Sequence, residues 1–97
     1  MNRLGYFGKV MKVVTELMEV EDKDILGKSR EQDVVDARWM VIYLMREKGY
    51  STKQISPLVC RPERTINHAI SSFEDRVKYS YNGLSNTLAI ARQQLQE

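Results

Sequence analysis

Four polar side chains past the middle of the chain, Arg61, Arg64, Asn67 and His68, share the polar side of a helix that begins at Pro62 and of the turn before it. Their types suit the edges of bases. Arginine can bond guanine through two donors, and asparagine can bond adenine through a donor and an acceptor. Glu63 can accept from cytosine, but a carboxylate in a first helical turn also complements the helix dipole, and that role is preferred. Thr65 offers a hydroxyl to phosphate or base and a methyl to thymine. His68 suits a hydrogen bond within the helix as well as one to DNA.

A second basic group lies upstream. Lys28 and Arg30 flank Ser29 in a loop ahead of a helix, where cations and free amides converge as a backbone phosphate requires. Two solvated loop charges are the plain alternative. Arg38 stands in an otherwise apolar segment, where an arginine either snorkels or meets an anion. Lys53 opens a later helix, placed for a phosphate or for water alone.

Other chemistries fail on spacing. Gly27-Lys28-Ser29 imitates the end of a nucleotide-binding P-loop, but the fingerprint needs a glycine where Asp22 stands. Asp22-x-Asp24-x-x-Gly27 opens like a calcium loop, yet Leu26 takes a ligand position and Asp33 replaces the closing glutamate. Cys60 and His68 have no third partner for a nucleophile or a metal. The chain reads as non-enzymatic, with no metal and no cofactor.

These residues need helices to place them. Val10, Val13, Val14, Leu17 and Met18 recur at three- and four-residue spacing and predict a helix over 9–19. Residues 22–26 predict a short helical turn, closed by Gly27 where a left-handed residue is needed. Ser29 can cap the next helix, over 31–48, which Gly49 ends. Apolar residues from Val34 to Met45 cover most of its circumference, so it is central. Trp39, Tyr43, Met11, Met18, Met40 and Met45 read as core.

Ser51 or Thr52 caps a short helix to Val59, in which Pro57 predicts a kink or a shortening. Cys60-Arg61 is a tight turn, and Pro62 takes the first position of a second helix. Ile66, Ala69, Ile70, Phe73 and Val77 are its buried stripe. A short helix, a brief turn and a longer helix with a polar outer face make the helix-turn-helix pattern. Residues 80–83 form a break. A final helix over 85–96 carries an apolar stripe, with Leu84, Leu88, Ala91 and Leu95, that closes the core or offers a dimer face. Closing the core is preferred, since a small chain needs the buried area.

Composition sets the class. Ninety-seven residues, 42% hydrophobic and 29% charged, fit one small all-α bundle of five to six helices. With only two prolines and five glycines, a disordered or collagen-like chain is excluded. One cysteine excludes a disulfide framework and suggests a reducing compartment. The first residues lack the apolar stretch of a signal peptide, and the longest apolar zone, 34–45, is too short for a bilayer. A cytoplasmic protein is expected. The net charge of +2 is modest for a nucleic-acid binder, but it is unevenly spread. Five acids lie between Glu16 and Asp24, whereas three bases accompany one acid between Gly49 and Ser72.

Two segments carry a family resemblance. Residues 24–30, Asp-Ile-Leu-Gly-Lys-Ser-Arg, precede Val34-Val35-Asp36-Ala37-Arg38-Trp39-Met40 and Tyr43-Leu44. This resembles the C-terminal DNA-binding domain of the bacterial replication initiator DnaA, with its short helix, Lys-x-Arg loop and arginine in a long apolar helix. Cys60-Arg61-Pro62-Glu63-Arg64-Thr65-Ile66-Asn67-His68-Ala69 is similar to the family's Gly-Arg-Asp-His-Thr-Thr-Val-x-His-Ala, matching at Arg61, Thr65, His68 and Ala69. The resemblance covers residues 10–78. Cys60 stands for a glycine, and Pro62-Glu63-Arg64 replaces the family's base-reading Asp-His-Thr.

The resemblance implies a Trp-repressor-like helix-turn-helix with its second helix in the major groove. It further implies a basic loop on phosphates and Arg38 in the minor groove. On this reading residues 1–97 are one free-standing reader of double-stranded DNA, serving replication initiation or its regulation. The initiator's nucleotide-hydrolysing domain, a membrane and a small-molecule cofactor have no part in it. A protein partner, or a homodimer through the last helix, stays open. The rivals are a helical adaptor that kept the fold but lost DNA binding, and a repressor- or sigma-like transcription regulator.

Overall fold

Apolar residues at helical spacing recur from end to end, and six helices result. They are α1 (Arg3–Met18), α2 (Asp22–Leu26), α3 (Gln32–Lys48), α4 (Thr52–Val59), α5 (Glu63–Lys78) and α6 (Leu84–Gln96). The structure, a computed structural model, describes residues 3–79 and 83–96. Among the described residues there is no strand, and no helix is long and apolar enough to cross a membrane.

α3 is the central element, as its nearly unbroken apolar surface predicts, and α1, α2, α4 and α5 all pack on it. Ala37, Met40, Val41, Ile42 and Met45 are fully buried, together with Val10 and Val14 of α1, Ile55 and Val59 of α4, and Ile66 and Phe73 of α5. Leu84, Leu88 and Ala91 of α6 join the same core, so the last helix closes it against α1 and α5. Polar links fasten the layers. Asp36, only 1% exposed on α3, accepts from Arg76 of α5 at 2.7 and 3.0 Å. Arg92 of α6 meets Glu47 of α3 through two bonds, at 3.1 and 2.5 Å.

Several helix ends differ from expectation, each for a physical reason. α1 begins at Arg3 rather than residue 9. Gly5 and Gly8 weaken helix propensity there, but Tyr6 and Phe7 pack against the core and Tyr6 stacks on Tyr50 at 6.0 Å. Gly27 is not left-handed, with φ −85° and ψ −160°. Glycine is needed there for close approach, because a Cβ would sit 2.7 Å from the carbonyl oxygen of Lys23. Ser29 does not cap α3, which starts after Glu31; its hydroxyl accepts from the Glu31 N–H within the loop, at 3.3 Å. Gly49, left-handed at φ +112°, ends α3 as predicted.

The helix-turn-helix also sharpens. Ser51, not Thr52, caps α4: its hydroxyl accepts from the Gln54 N–H at 3.1 Å while the Gln54 side chain accepts from Ser51 N–H at 2.8 Å. Pro57 does not break α4, which runs on to Val59. Pro62 precedes α5 instead of opening it, because its ψ of 157° is extended. Its carbonyl takes the first α5 amides, from Thr65 and Ile66 at 3.0 and 3.1 Å. The break expected over 80–83 falls, as far as Asn82, outside the described residues.

Candidate nucleic-acid interface

Two elements present unpaired polar groups: the loop between α2 and α3, and the α4–α5 helix-turn-helix. The loop is held from beneath. Arg38 rises from α3 and is 7% exposed. Its Nε donates to the Ile25 carbonyl at 2.6 Å, and its Nη2 donates to Asp24, Gly27 and Ser29 at 3.1, 3.1 and 3.3 Å. A charged fork thereby satisfies carbonyls that α2 leaves free at its end. Burial, and then the nearby Arg61 cation, hold the Arg38 guanidinium below its ordinary pKa. The sequence leaves Arg38 either to snorkel or to meet an anion; within the protein its Nε and Nη2 meet carbonyl dipoles.

Arg61 completes the joint. Its Nη1 donates to the carbonyls of Val59 and Cys60 at 3.1 and 3.3 Å, and its Nη2 donates to Gly27 across the gap between the two elements. Ser56 tightens the same turn, since its carbonyl accepts from the Arg61 N–H at 3.1 Å and its hydroxyl donates to the Arg61 carbonyl. Cys60 ends α4 in the left-handed region, at φ +58° and ψ +43°. That backbone explains why a glycine suits this position in the resembling family.

Lys28, Ser29, Arg30, Arg38, Cys60 and Arg61 line one open groove, and none of them is acidic. Lys28 and Arg30 are exposed and have no side-chain partner among the described residues. A lining of cations without an acid has the chemistry that suits an anion.

On α5, Arg64 and Asn67 are exposed and likewise without partners among the described residues. Glu63 is engaged: the Thr52 hydroxyl donates to its carboxylate at 3.3 Å, drawing it toward α4. His68 is exposed, with Nε2 3.3 Å from the Ser72 hydroxyl and its ring edge-on to Trp39 at 6.1 Å. Thr65 is half-buried, and Lys53 is exposed and unpartnered on the first turn of α4. The structure thus brings Lys28, Arg30, Arg38 and Arg61 into one groove and leaves Arg64 and Asn67 facing outward on α5. The Asp36–Arg76 link beneath α5 was missed; its signal was an aspartate inside an apolar helix.

A family model described as the bacterial DnaA protein helix-turn-helix matches residues 7–72. Among curated relatives, the chromosomal replication initiator protein DnaA of Nautilia profundicola is 31% identical over 74 residues, covering 71% of this chain and 16% of its own length. Those of Pseudothermotoga lettingae and Kosmotoga olearia are 31% and 32% identical, covering 69% and 67% of this chain. This chain spans 15% of the length of each of these two. No solved structure matches.

Proposed function

Because this chain belongs to the bacterial DnaA helix-turn-helix family, we propose that it binds double-stranded DNA, with α5 in the major groove and the 27–30 loop on the phosphate backbone. The function is binding, not catalysis, and the process is replication initiation or its regulation, after the initiators it is similar to. One observation carries the reading. The Arg61 side chain ties the turn ahead of α5 to the Gly27 carbonyl, so the helix proposed to face bases and the loop proposed to face phosphates are fastened to each other.

Lys28, Arg30 and Lys53 grip phosphates in this proposal. Arg64, Thr65 and Asn67 approach bases, while Glu63 and His68 border them. Arg61 and Arg38 support the loop. The minor-groove role that the resemblance implies for Arg38 falls to its Nη1 edge, which has no bond among the described residues.

Fluorescence anisotropy of labelled duplex across a salt series tests this. Affinity is expected to fall with salt at a log–log slope of roughly −0.9 per neutralised phosphate. No binding at low salt would sink the proposal and leave a helical adaptor that kept the fold.

A further inference from the structure

The three positions before Thr65 are where this chain departs from the family's base-reading residues. Pro62 has no N–H and sits at the helix cap with extended backbone. The Glu63 carboxylate is drawn toward the Thr52 hydroxyl. His68, further along, lies against Ser72 and Trp39. What remains outward, and without a partner among the described residues, is Arg64 with Asn67, one turn apart on the same face.

Three residues of helix advance about 4.5 Å, more than one but less than two of the roughly 3.4 Å steps between successive base pairs. Both residues lie in the first two turns of α5, the part of such a helix that meets base edges. The positive end of the helix dipole lies beside Arg64 and favours acceptor-rich edges there. Guanine presents two acceptors to an arginine fork, and adenine presents the acceptor and donor that an asparagine amide matches.

We infer that Arg64 and Asn67 are the specificity-determining pair, reading a guanine and an adenine on neighbouring base pairs, so that this chain prefers a site different from that of its relatives. The inference rests on the DNA-binding reading above. An Arg64 that gripped phosphate instead would add affinity for every duplex alike.

Selection from a randomised duplex pool with the full chain tests it, using wild type, Arg64→Ala, Asn67→Ala and Arg64→Gln. Wild type should enrich adjacent guanine and adenine. Arg64→Ala should lose the guanine preference, keep the adenine, and bind the wild-type site about tenfold or more weakly with random duplex nearly unchanged. Asn67→Ala should do the reverse, and Arg64→Gln should replace the guanine by adenine. Unchanged melting temperatures show that the variants fold. Identical selected sites for all four proteins, or a loss of affinity uniform across sequences, would overturn the assignment. If wild type binds no duplex even at low salt, the DNA-binding reading itself has failed and the readout falls with it.

Discussion

Arg38 of α3 and Arg61 of the α4–α5 turn donate to the same acceptor, the carbonyl oxygen of Gly27, with the Arg38 bond at 3.1 Å. Two like charges converge there because carbonyl dipoles solvate both, and Arg61 still reaches the groove. The carbonyl is a joint between the loop and the helix-turn-helix. Arg61→Ala should therefore loosen the loop more than the fold. A charged hydrogen bond of this kind contributes ~1.5–3 kcal/mol, and amide hydrogen exchange of residues 28–30 should rise while that of α1 and α6 stays put. Arg38→Met should cost roughly 3 kcal/mol or more, since several carbonyls lose a donor at once. Arg38→Lys should rescue little of this, because an ammonium lacks the planar fork. Unchanged exchange in Arg61→Ala would show that Arg38 holds the loop alone.

The Asp36–Arg76 link joins the central helix to the helix that carries Arg64 and Asn67. Asp36 also accepts from Gln32 at 2.9 Å, and its side chain is 1% exposed against 20% for Arg76. Removing one partner of a buried pair costs ~3–5 kcal/mol at full burial, so Asp36→Ala should fall toward the lower end of that range. Replacing both, as Asp36→Leu with Arg76→Met, should cost less than Asp36→Ala alone, since two apolar side chains then refill the space of the pair. Urea denaturation of wild type, Asp36→Ala, Asp36→Leu, Arg76→Met and the double variant measures it. Additive losses would mean that the two side chains act separately.

Periodicity made the helices legible, because α1, α5 and α6 each set apolar residues at spacings that only a helix gathers on one side, while α3 is apolar nearly all round. The candidate site was legible in type, since Lys28, Arg30, Arg64 and Asn67 are exposed where a polar face was expected. What was hidden was tertiary. Nothing in the spacing of Arg38 and Arg61 states that both will meet Gly27, 11 and 34 residues away. The N-terminal extension of α1 was hidden likewise, because stacking of Tyr6 on Tyr50 overrides two glycines. Gly27 was singled out correctly as a glycine position but for the wrong geometry, since propensity rules register left-handed backbone and not close approach.

Cys60 and Gly27 give opposite expectations for glycine exchange. Cys60 occupies left-handed backbone at φ +58°, a conformation that costs a residue with a Cβ ~1–2 kcal/mol. Part of that is offset by the greater freedom of glycine in the unfolded chain. Cys60→Gly should therefore stabilise the protein by ~0.5–1 kcal/mol. Gly27→Ala should cost ~1–3 kcal/mol by overpacking, because the carbonyl 2.7 Å from the new methyl belongs to the α2 backbone. Thermal melts of both variants decide. A stabilised Gly27→Ala would mean that α2 can shift to admit the methyl.

Lys28 and Arg30 test whether the groove grips phosphate or base. Both are exposed, both flank Ser29, and among the described residues neither has a partner that its removal would strand. Replacing the two by alanine should leave stability within ~0.5 kcal/mol, as for surface positions away from buried networks. Phosphates repeat along every duplex, so affinity should fall about equally for selected and random sequences. Each lost contact should also flatten the salt dependence by about one unit of log–log slope. Anisotropy titrations of wild type and Lys28→Ala/Arg30→Ala over one salt series, on both duplexes, give the answer. A slope left intact with a changed sequence preference would move these two residues from the backbone to the bases.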